Sequence, residues 1–512
     1  MRKKNTVIGS ALLVMIVVIT SKVLGFIRQT VIAAHYGSNI NTDVYFLSSD
    51  FMISLSGALL ASLTTALVTM YIDISVKKSR NEANAVASTM LTLFLVVGGV
   101  FIVLLNLFTP WIARILAPLY TEEAHNTLVF YLRVFSVTFI FTSLQSIYAA
   151  VLNANDSFVP GKLYGILYNP ISILMVVLFS AKLGINALVI AYFIGNILQS
   201  FLLKLLSRKT FTFRPSLNFG DPNIKHLIQL SMPLLLSNVF LQLNGIVDKA
   251  ICSVLGEGIA SNYSYAYTLE QFITGTVTAT LSLILLSKYA SYVSQGNTKM
   301  VIKTFRESLS GLILLLVPVT IVACVMSPEI VKIVYMRGQF TEADAYHTAN
   351  ALTGFAIGFA LIAVREMYIR LHFSYQDTKM PMIANIAAVF LNGLLSIVLS
   401  KHIGVFGVSL ATSLSIILTI FLLNRSVKKY IPEFRFTSLS VLFVKILPAG
   451  ASAAIVAYFL KNMLRMKPIF EFAICTLSAL AVYLIVLIVL RCRELKEFFA
   501  KVKAALPGGK TE

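Results

Sequence analysis

The chain has 512 residues, of which 57% are hydrophobic and only 12% are charged, and its mean hydropathy is +0.83. Because a water-soluble fold needs far more polar surface, this composition excludes an ordinary globular protein and predicts an all-α polytopic membrane protein. The net charge of +20 indicates basic loops at an anionic membrane surface rather than nucleic-acid binding.

Apolar runs recur along the whole chain, and each is long enough to cross a hydrocarbon core of about 30 Å as a helix. The runs are continuous rather than alternating, which excludes an outer-membrane barrel. We predict about fourteen transmembrane helices. In chain order they cover residues 7–36, 42–74, 84–110, 126–152, 158–181, 184–203, 226–255, 259–287, 303–326, 346–373, 380–400, 404–424, 438–460 and 468–490.

Basic residues indicate the orientation. With the N-terminus inside, 27 of the 42 Lys and Arg residues fall in cytoplasmic segments or at the cytoplasmic ends of spans, and 8 fall in outer segments. This asymmetry predicts that both termini are cytoplasmic. The C-terminal tail places Leu495, Phe498 and Leu506 on one helical face, so we expect an amphipathic helix along the inner membrane surface.

An internal repeat relates positions 220 residues apart. Gly25 then matches Gly245, and Gly184 matches Gly404. The offset covers six predicted helices, an even number, so both copies enter the membrane from the same side. The repeat predicts two parallel six-helix halves around a central cavity, residues 1–220 and 221–437, followed by residues 438–512 with two additional helices and the tail.

Several charged side chains lie inside predicted spans. A charge near the bilayer centre costs at least about 2.5 kcal/mol, so it normally faces protein or a hydrated cavity. Polar character recurs at equivalent positions of the two repeats, while its sign varies, as expected for the walls of one asymmetric hydrated cavity. The candidate substrate-binding residues are Lys22, Arg28, Gln29, Asp43, Asp50, Gln242, Asp248, Lys249, Glu270 and Arg365.

Other roles stay open for some of these residues. Asp43 could instead cap the second helix, and Asp248 or Lys249 could form a structural pair with Arg28 or Asp50. The sequence contains no HExxH motif, no CxxC motif and no P-loop, and the loops are too short for a separate catalytic domain. We therefore predict no enzyme activity, no catalytic residues and no metal site.

The stretch "SKVLGFIRQTVIAAHYGSNINTDVYF", residues 21–46, resembles the first-span signature of MurJ (also called MviN), the lipid II flippases of the multidrug/oligosaccharidyl-lipid/polysaccharide exporter superfamily. The resemblance extends in outline over the chain. It implies that Lys22, Arg28 and Asp43 belong to a cationic cavity that receives a diphosphate and sugars. The family's second-span arginine would fall near Ser56 and Gly57, and its eighth-span arginine near Thr268; neither is basic here.

The resemblance implies a flippase that moves a lipid-linked saccharide, most simply lipid II, from the inner to the outer leaflet of the bacterial cytoplasmic membrane. The expected partners are the polyprenyl-diphosphate-linked saccharide, membrane lipids and cell-wall synthesis enzymes, but no nucleic acid. No cofactor is expected; a sodium or proton gradient or the membrane potential would supply the energy. Two alternatives stay open: export of another undecaprenyl-linked polysaccharide unit, and ion-coupled antiport of drugs or organic cations.

Overall fold

The computed structural model describes residues 2–216, 222–434, 440–464 and 466–497. Within these ranges the chain forms sixteen α-helices and one short 3-10 turn, and the all-α prediction is confirmed. Most of the predicted amphipathic tail lies outside the described residues.

The first compact unit contains the chain up to Ser264 together with Arg337–Phe340. Buried apolar residues of the second, third and fifth helices form its core, and the eighth helix packs along the second. The unit therefore extends past the repeat boundary at residue 220, and that boundary stays a prediction. Its helices are α1 (Arg2–Tyr36), α2 (Ile40–Lys77), α3 (Arg80–Leu116), α4 (Glu122–Ser136), α5 (Thr138–Ala154), α6 (Tyr164–Leu183), α7 (Asn186–Ser207), α8 (Pro222–Val254) and the start of α9 (Ile259–Ser294).

The second compact unit contains Tyr265–Met336 and the chain from Thr341 onward. Its helices are the rest of α9, α10 (Thr298–Val325), α11 (Ser327–Tyr335), α12 (Glu342–Ala356), α13 (Phe359–Ser374), α14 (Lys379–Val427), α15 (Ser440–Met463) and α16 (Pro468–Val489). The last two helices pack against each other and against α10. Helix α11 lies between two predicted spans, in a segment that the sequence predicts as a loop. A prediction of membrane spans does not detect it, because its nine residues are too few to cross a membrane.

Many helices meet the physical requirements for crossing a membrane. Among the described residues, nine helical segments are long and apolar enough, and a tenth is added if α12 and α13, which are bent by 42° at their junction, form one span. The chain is therefore a multi-pass, all-helical membrane protein, as its composition predicts.

Helix α14 consists of two limbs. A straight helix of its 49 residues would be about 74 Å long, more than twice the thickness of a hydrocarbon core. The backbone leaves the helical conformation at Ile403 and Gly404, and Gly404 adopts φ +59° and ψ −142°. A positive φ is accessible to glycine at no steric cost. This break separates the predicted spans 380–400 and 404–424.

The local backbone follows the predicted repeat. Gly184 adopts φ +56° and ψ −142°, nearly the conformation of Gly404, which lies 220 residues later. Asp156 and Gln376, two non-glycine residues with positive φ of 62° and 59°, have the same separation. Helices α4 and α12 also begin and end 220 residues apart. Because positive φ is uncommon outside glycine, these matches support the duplication inferred from the sequence.

Candidate functional site

Close packing fixes the position of α1 against α6 in the first unit. Gly165 on α6 lies against Ser21 on α1, where a Cβ atom would overlap the serine hydroxyl. One turn further along α6, Asn169 Nδ2 donates a hydrogen bond to the Ser21 carbonyl oxygen at 3.1 Å. These contacts set the register of the segment of α1 that carries the predicted charges.

Arg28 on α1 stacks on an aromatic cluster. Its Cζ atom lies 4.8 Å from the centroid of the Tyr168 ring, within the range of a cation–π interaction. Tyr164 stacks on Tyr168 with 5.4 Å between centroids, and Tyr192 meets Tyr168 edge-on at 5.6 Å. The hydroxyls of Tyr45 and Tyr168 are 3.4 Å apart. The aromatic cluster therefore orients the guanidinium without neutralising its charge.

The guanidinium of Arg28 has no anionic partner among the residues that the structure describes. Its Nε atom is buried without a hydrogen-bond partner, and none of the described residues forms an ion pair with it. The side chain as a whole is half-buried. A positive charge in this position is poorly solvated and uncompensated, which is the condition under which it attracts an anion.

Asp50 is a carboxylate that interacts electrostatically with Arg28, but its ion pair is with a different residue. Lys249 on α8 forms a close ion pair with Asp50 on α2. The lysine side chain is 10% exposed and the aspartate side chain 34% exposed. Lys249 thus compensates the negative charge of Asp50 and leaves Arg28 unneutralised.

Asp43, in the first turn of α2, is fully buried and saturated with hydrogen bonds. One carboxylate oxygen accepts from the backbone N–H and the hydroxyl of Ser261, at 2.7 and 2.5 Å. The other accepts from the Gly258 N–H at 2.7 Å and from the Tyr120 hydroxyl at 3.0 Å. Gly258 and Ser261 flank the first residues of α9, so Asp43 caps the N-terminus of that helix.

The contact between the starts of α2 and α9 is reciprocal. Glu257 accepts a hydrogen bond from the Ile40 N–H at 3.2 Å, and Ser38 donates to the Asn262 side chain at 2.6 Å. Burial, followed by the nearby carboxylate of Asp43, raises the pKa of Tyr120 in the α3–α4 loop, so its hydroxyl stays protonated and donates. We call residues 38–43 and 257–262, with this tyrosine, the end clamp.

The remaining candidates of the first unit have mixed surroundings. Asp248 is buried and accepts from the Tyr263 hydroxyl at 3.0 Å. Gln29 is buried, Lys22 is half-buried and Gln242 is exposed. The structure therefore brings Arg28, Asp50 and Lys249 into one electrostatic group, while Asp43 and Asp248 are held in hydrogen bonds among buried residues.

Two candidates lie in the second unit. Glu270 is buried, and its carboxylate accepts from Thr274 at 2.7 Å and from Gln271 at 2.8 Å. The Nη2 atom of Arg365 lies 3.3 Å from Oε1 of Glu366, and the Nη2 atom of Arg370 lies 3.3 Å from Oε2 of the same carboxylate. Arg365 and Arg370 thus share one carboxylate, whereas no carboxylate pairs with Arg28 within the described part of the chain. The Nε atoms of all three arginines are buried without a hydrogen-bond partner.

Sequence reasoning missed several residues of these sites. Tyr164 and Tyr168 are spaced by one helical turn in "LYGILYNP", which places both rings on one face of α6 and could have revealed the aromatic platform. Ser261 and Glu366 gave no comparable signal, since their roles depend on their neighbours in space. Among the described residues no cluster of three His, Cys, Asp or Glu side chains is arranged to hold a metal ion.

Comparison with known proteins identifies the family. A family model described as lipid II flippase MurJ matches residues 32–477. The probable lipid II flippase MurJ of Rickettsia prowazekii is 24% identical to this chain over 80% of its length and 82% of the relative's length. The family is one of transporters, which agrees with the prediction that the chain is not an enzyme.

Solved structures show the same fold. A structure of lipid II flippase MurJ in an inward closed conformation covers 94% of this chain and 99% of its own, with 24% identity and a TM-score of 0.81. An inward-facing multidrug resistance transporter of the MATE family and MOP superfamily covers 80% of this chain and 95% of its own, with 12% identity and a TM-score of 0.69. Because the family model spans most of the sequence, the chain belongs to the lipid II flippase MurJ family.

Proposed function

We propose that this protein translocates lipid II, the lipid-linked precursor of peptidoglycan, from the inner to the outer leaflet of the bacterial cytoplasmic membrane. The observation that carries the proposal is the uncompensated guanidinium of Arg28, stacked on Tyr168. Lys249 occupies the nearby carboxylate of Asp50. The protein thus holds a positive charge ready for an anionic headgroup.

The chemistry of a diphosphate matches that of an arginine. A guanidinium is always protonated and presents several donors in a planar fork, so it can bind two phosphate oxygens at once. The Tyr168 ring fixes the plane of the guanidinium while leaving it charged. The polyprenyl tail would stay in lipid while the headgroup leaves the inner leaflet for Arg28, with Lys22 adding a second positive charge.

The proposed membrane plan has fourteen crossings, with two six-helix halves around a central cavity and two further C-terminal helices. Both termini lie in the cytoplasm, a placement supported by the 27-to-8 distribution of basic residues. The headgroup would cross by alternating access as the halves rock. The membrane potential or a sodium or proton gradient would drive the cycle, since the sequence contains no P-loop.

The carboxylates argue against cation export as the main activity. A transporter of organic cations needs an acidic side chain that is free to bind its substrate. Asp43 is saturated by four hydrogen bonds, Asp50 is paired with Lys249, and Glu270 is buried and bonded. Export of a different undecaprenyl-linked saccharide would use the same diphosphate chemistry. The two activities are distinguished by which lipid-linked saccharide becomes exposed at the outer leaflet.

Substitution of Arg28 tests the proposal. In cells depleted of their own lipid II flippase, Arg28→Ala should abolish exposure of lipid II at the outer leaflet, because the diphosphate loses its bidentate donor. Arg28→Lys should restore part of the activity, since a point charge replaces the fork. The measurement is the fraction of lipid II accessible to an external headgroup-cleaving reagent, with membrane protein level monitored in parallel.

A matched control is Arg114→Ala, which removes an exposed arginine at the end of α3 in the same unit. This variant should keep the translocation rate of the unmodified protein. Normal translocation by Arg28→Ala would contradict the proposal. Failure of the unmodified protein to expose lipid II, combined with exposure of another undecaprenyl-linked unit, would reassign the substrate.

A further inference from the structure

A cavity of about 780 Å³ opens in the second unit, away from the residues discussed above. Its volume lies in the range of small-molecule binding sites. Most of the lining side chains are charged. They come from the first turns of α10 (Lys299, Ile302, Lys303, Arg306, Glu307, Ser310 and Gly311), from the loop after α14 (Glu433) and from the C-terminal segment (Arg493, Glu494 and Glu497). In the proposed topology this cavity faces the cytoplasmic leaflet.

The two sides of the cavity carry opposite charge. Helix α10 contributes three basic residues and one acidic residue, whereas the loop and the C-terminal segment contribute three acidic residues and one basic residue. Arg493 and Glu497 pair within their own segment, with Nε and Oε1 2.8 Å apart. We call these sides the basic wall and the acidic wall.

Two lysines of the basic wall and two glutamates of the acidic wall line this cavity without pairing with each other. Lys299 and Lys303 on the basic wall form no ion pair within the described part of the chain, and the same holds there for Glu433 and Glu494 on the acidic wall. Opposite charges that share a cavity attract each other. Their separation therefore leaves room for an occupant that contacts both walls.

The N-terminal end of α10 strengthens the preference of the basic wall for an anion. The first turn of this helix contains no acidic residue, and Asn297 caps it through a hydrogen bond from the Met300 N–H at 3.1 Å. The N-terminal end of a helix is electropositive, so lysines there are disfavoured unless an anion is present. Lys299 and Lys303 follow within the first two turns and add to this positive potential.

We propose that the cavity binds a dipolar headgroup that carries both a phosphodiester and a primary ammonium, as phosphatidylethanolamine does. The phosphate would contact Lys299 and Lys303 on the basic wall, and the ammonium would donate to Glu433 and Glu494 on the acidic wall. A purely anionic headgroup satisfies only the basic wall and is repelled by the carboxylates. The inference goes beyond flipping and assigns the second unit a lipid site at the inner leaflet.

The preference among headgroups tests the site directly. Purified protein in detergent is titrated with short-chain phosphatidylethanolamine, phosphatidylglycerol and phosphatidylcholine, and the affinities are measured by thermophoresis. We expect phosphatidylethanolamine to bind most tightly, since phosphatidylglycerol lacks the cation and the quaternary ammonium of phosphatidylcholine cannot donate hydrogen bonds. Free phosphoethanolamine forms a separate arm, and binding as tight as that of the lipid would identify a soluble source for the same chemistry.

Charge removal from each wall separates a dipolar site from a simple basic patch. Lys299→Gln with Lys303→Gln should weaken all three lipids, by about tenfold for phosphatidylethanolamine, because charge-assisted contacts are lost. Glu433→Gln with Glu494→Gln should weaken phosphatidylethanolamine but strengthen phosphatidylglycerol. The control pair Lys204→Gln with Lys209→Gln removes two exposed lysines from the first unit and should change nothing.

The outcomes are decisive because binding is measured without translocation. Tighter binding of phosphatidylglycerol than of phosphatidylethanolamine by the unmodified protein would overturn the proposal in favour of a basic patch. Equal affinities in all variants, or no headgroup binding, would also overturn it. A loss of flipping in the Arg28 variants leaves these affinities unchanged, so the two proposals succeed or fail separately.

Discussion

Asp43 and Arg28 lie in the same unit, and the sequence predicts the same cavity for both, yet their surroundings are opposite. Asp43 is fully buried and accepts four hydrogen bonds in the end clamp. Arg28 rests on an aromatic ring and has no anionic partner among the described residues. A charge within a membrane helix can therefore stabilise the fold when it is saturated, or recognise a ligand when it is left uncompensated.

The largest expected effect distinguishes stability from transport. Asp43→Ala leaves the buried N–H groups of Gly258 and Ser261 without an acceptor, and we expect a stability loss of about 3 kcal/mol. Arg28→Ala should leave stability unchanged or slightly raise it, because it removes an unpaired and poorly solvated charge. The midpoint of thermal unfolding in detergent, measured for both variants, checks this contrast.

The contrast would break if both variants unfolded at the same temperature. Asp43→Asn is the graded control for the clamp, since it keeps one carbonyl acceptor and loses the charge. Its unfolding midpoint should lie between those of the unmodified protein and Asp43→Ala.

A second prediction concerns the pair that keeps Arg28 uncompensated. Lys249→Met frees the carboxylate of Asp50, which can then neutralise Arg28, so lipid II translocation should fall roughly tenfold. Addition of Asp50→Asn in the same chain removes the competing carboxylate and should restore translocation. Rates measured for the single and double variants form a cycle that isolates this coupling.

If Lys249 itself bound the substrate, the double variant would not recover lipid II translocation. In that case the two substitutions would have additive effects, and the role assigned to the ion pair would be wrong. Membrane protein level serves as the control for folding, because a lone buried charge also destabilises.

A smaller effect is expected at the aromatic platform. Tyr168→Leu removes the ring under the Arg28 guanidinium, a contribution of about 1 kcal/mol, and should lower translocation by severalfold. Tyr168→Phe keeps the ring and should be nearly normal. Equal defects in the two variants would indicate that the Tyr168 hydroxyl, which lies 3.4 Å from that of Tyr45, matters more than the stacked ring.

The sequence predicts the local features of this protein well. Apolar runs mark the helices, and the 220-residue offset reappears in the matched backbone of Gly184 and Gly404. The sequence also predicts that Arg28 lies inside a membrane helix, because a charged residue within an apolar run can be recognised without knowing its neighbours in space.

The state of each charge is what the sequence could not reveal. Asp43 is saturated by Ser261, which is 218 residues away along the chain, and Asp50 is paired with Lys249 across 199 residues. Such contacts depend on how helices pack, and helical periodicity carries no information about them. The structure was therefore required to separate Asp43, which caps a helix, from Arg28, which we propose as the ligand-binding residue.

The most direct measurement is the affinity of purified protein for a polyprenyl diphosphate and for the matching polyprenyl monophosphate, neither carrying sugar. The unmodified protein should prefer the diphosphate by about tenfold, because the arginine fork engages oxygens of both phosphates. In Arg28→Ala the affinity for the diphosphate should fall more than that for the monophosphate, so that this preference disappears. An undiminished preference for the diphosphate in Arg28→Ala would contradict the assignment of Arg28 as the diphosphate-binding residue.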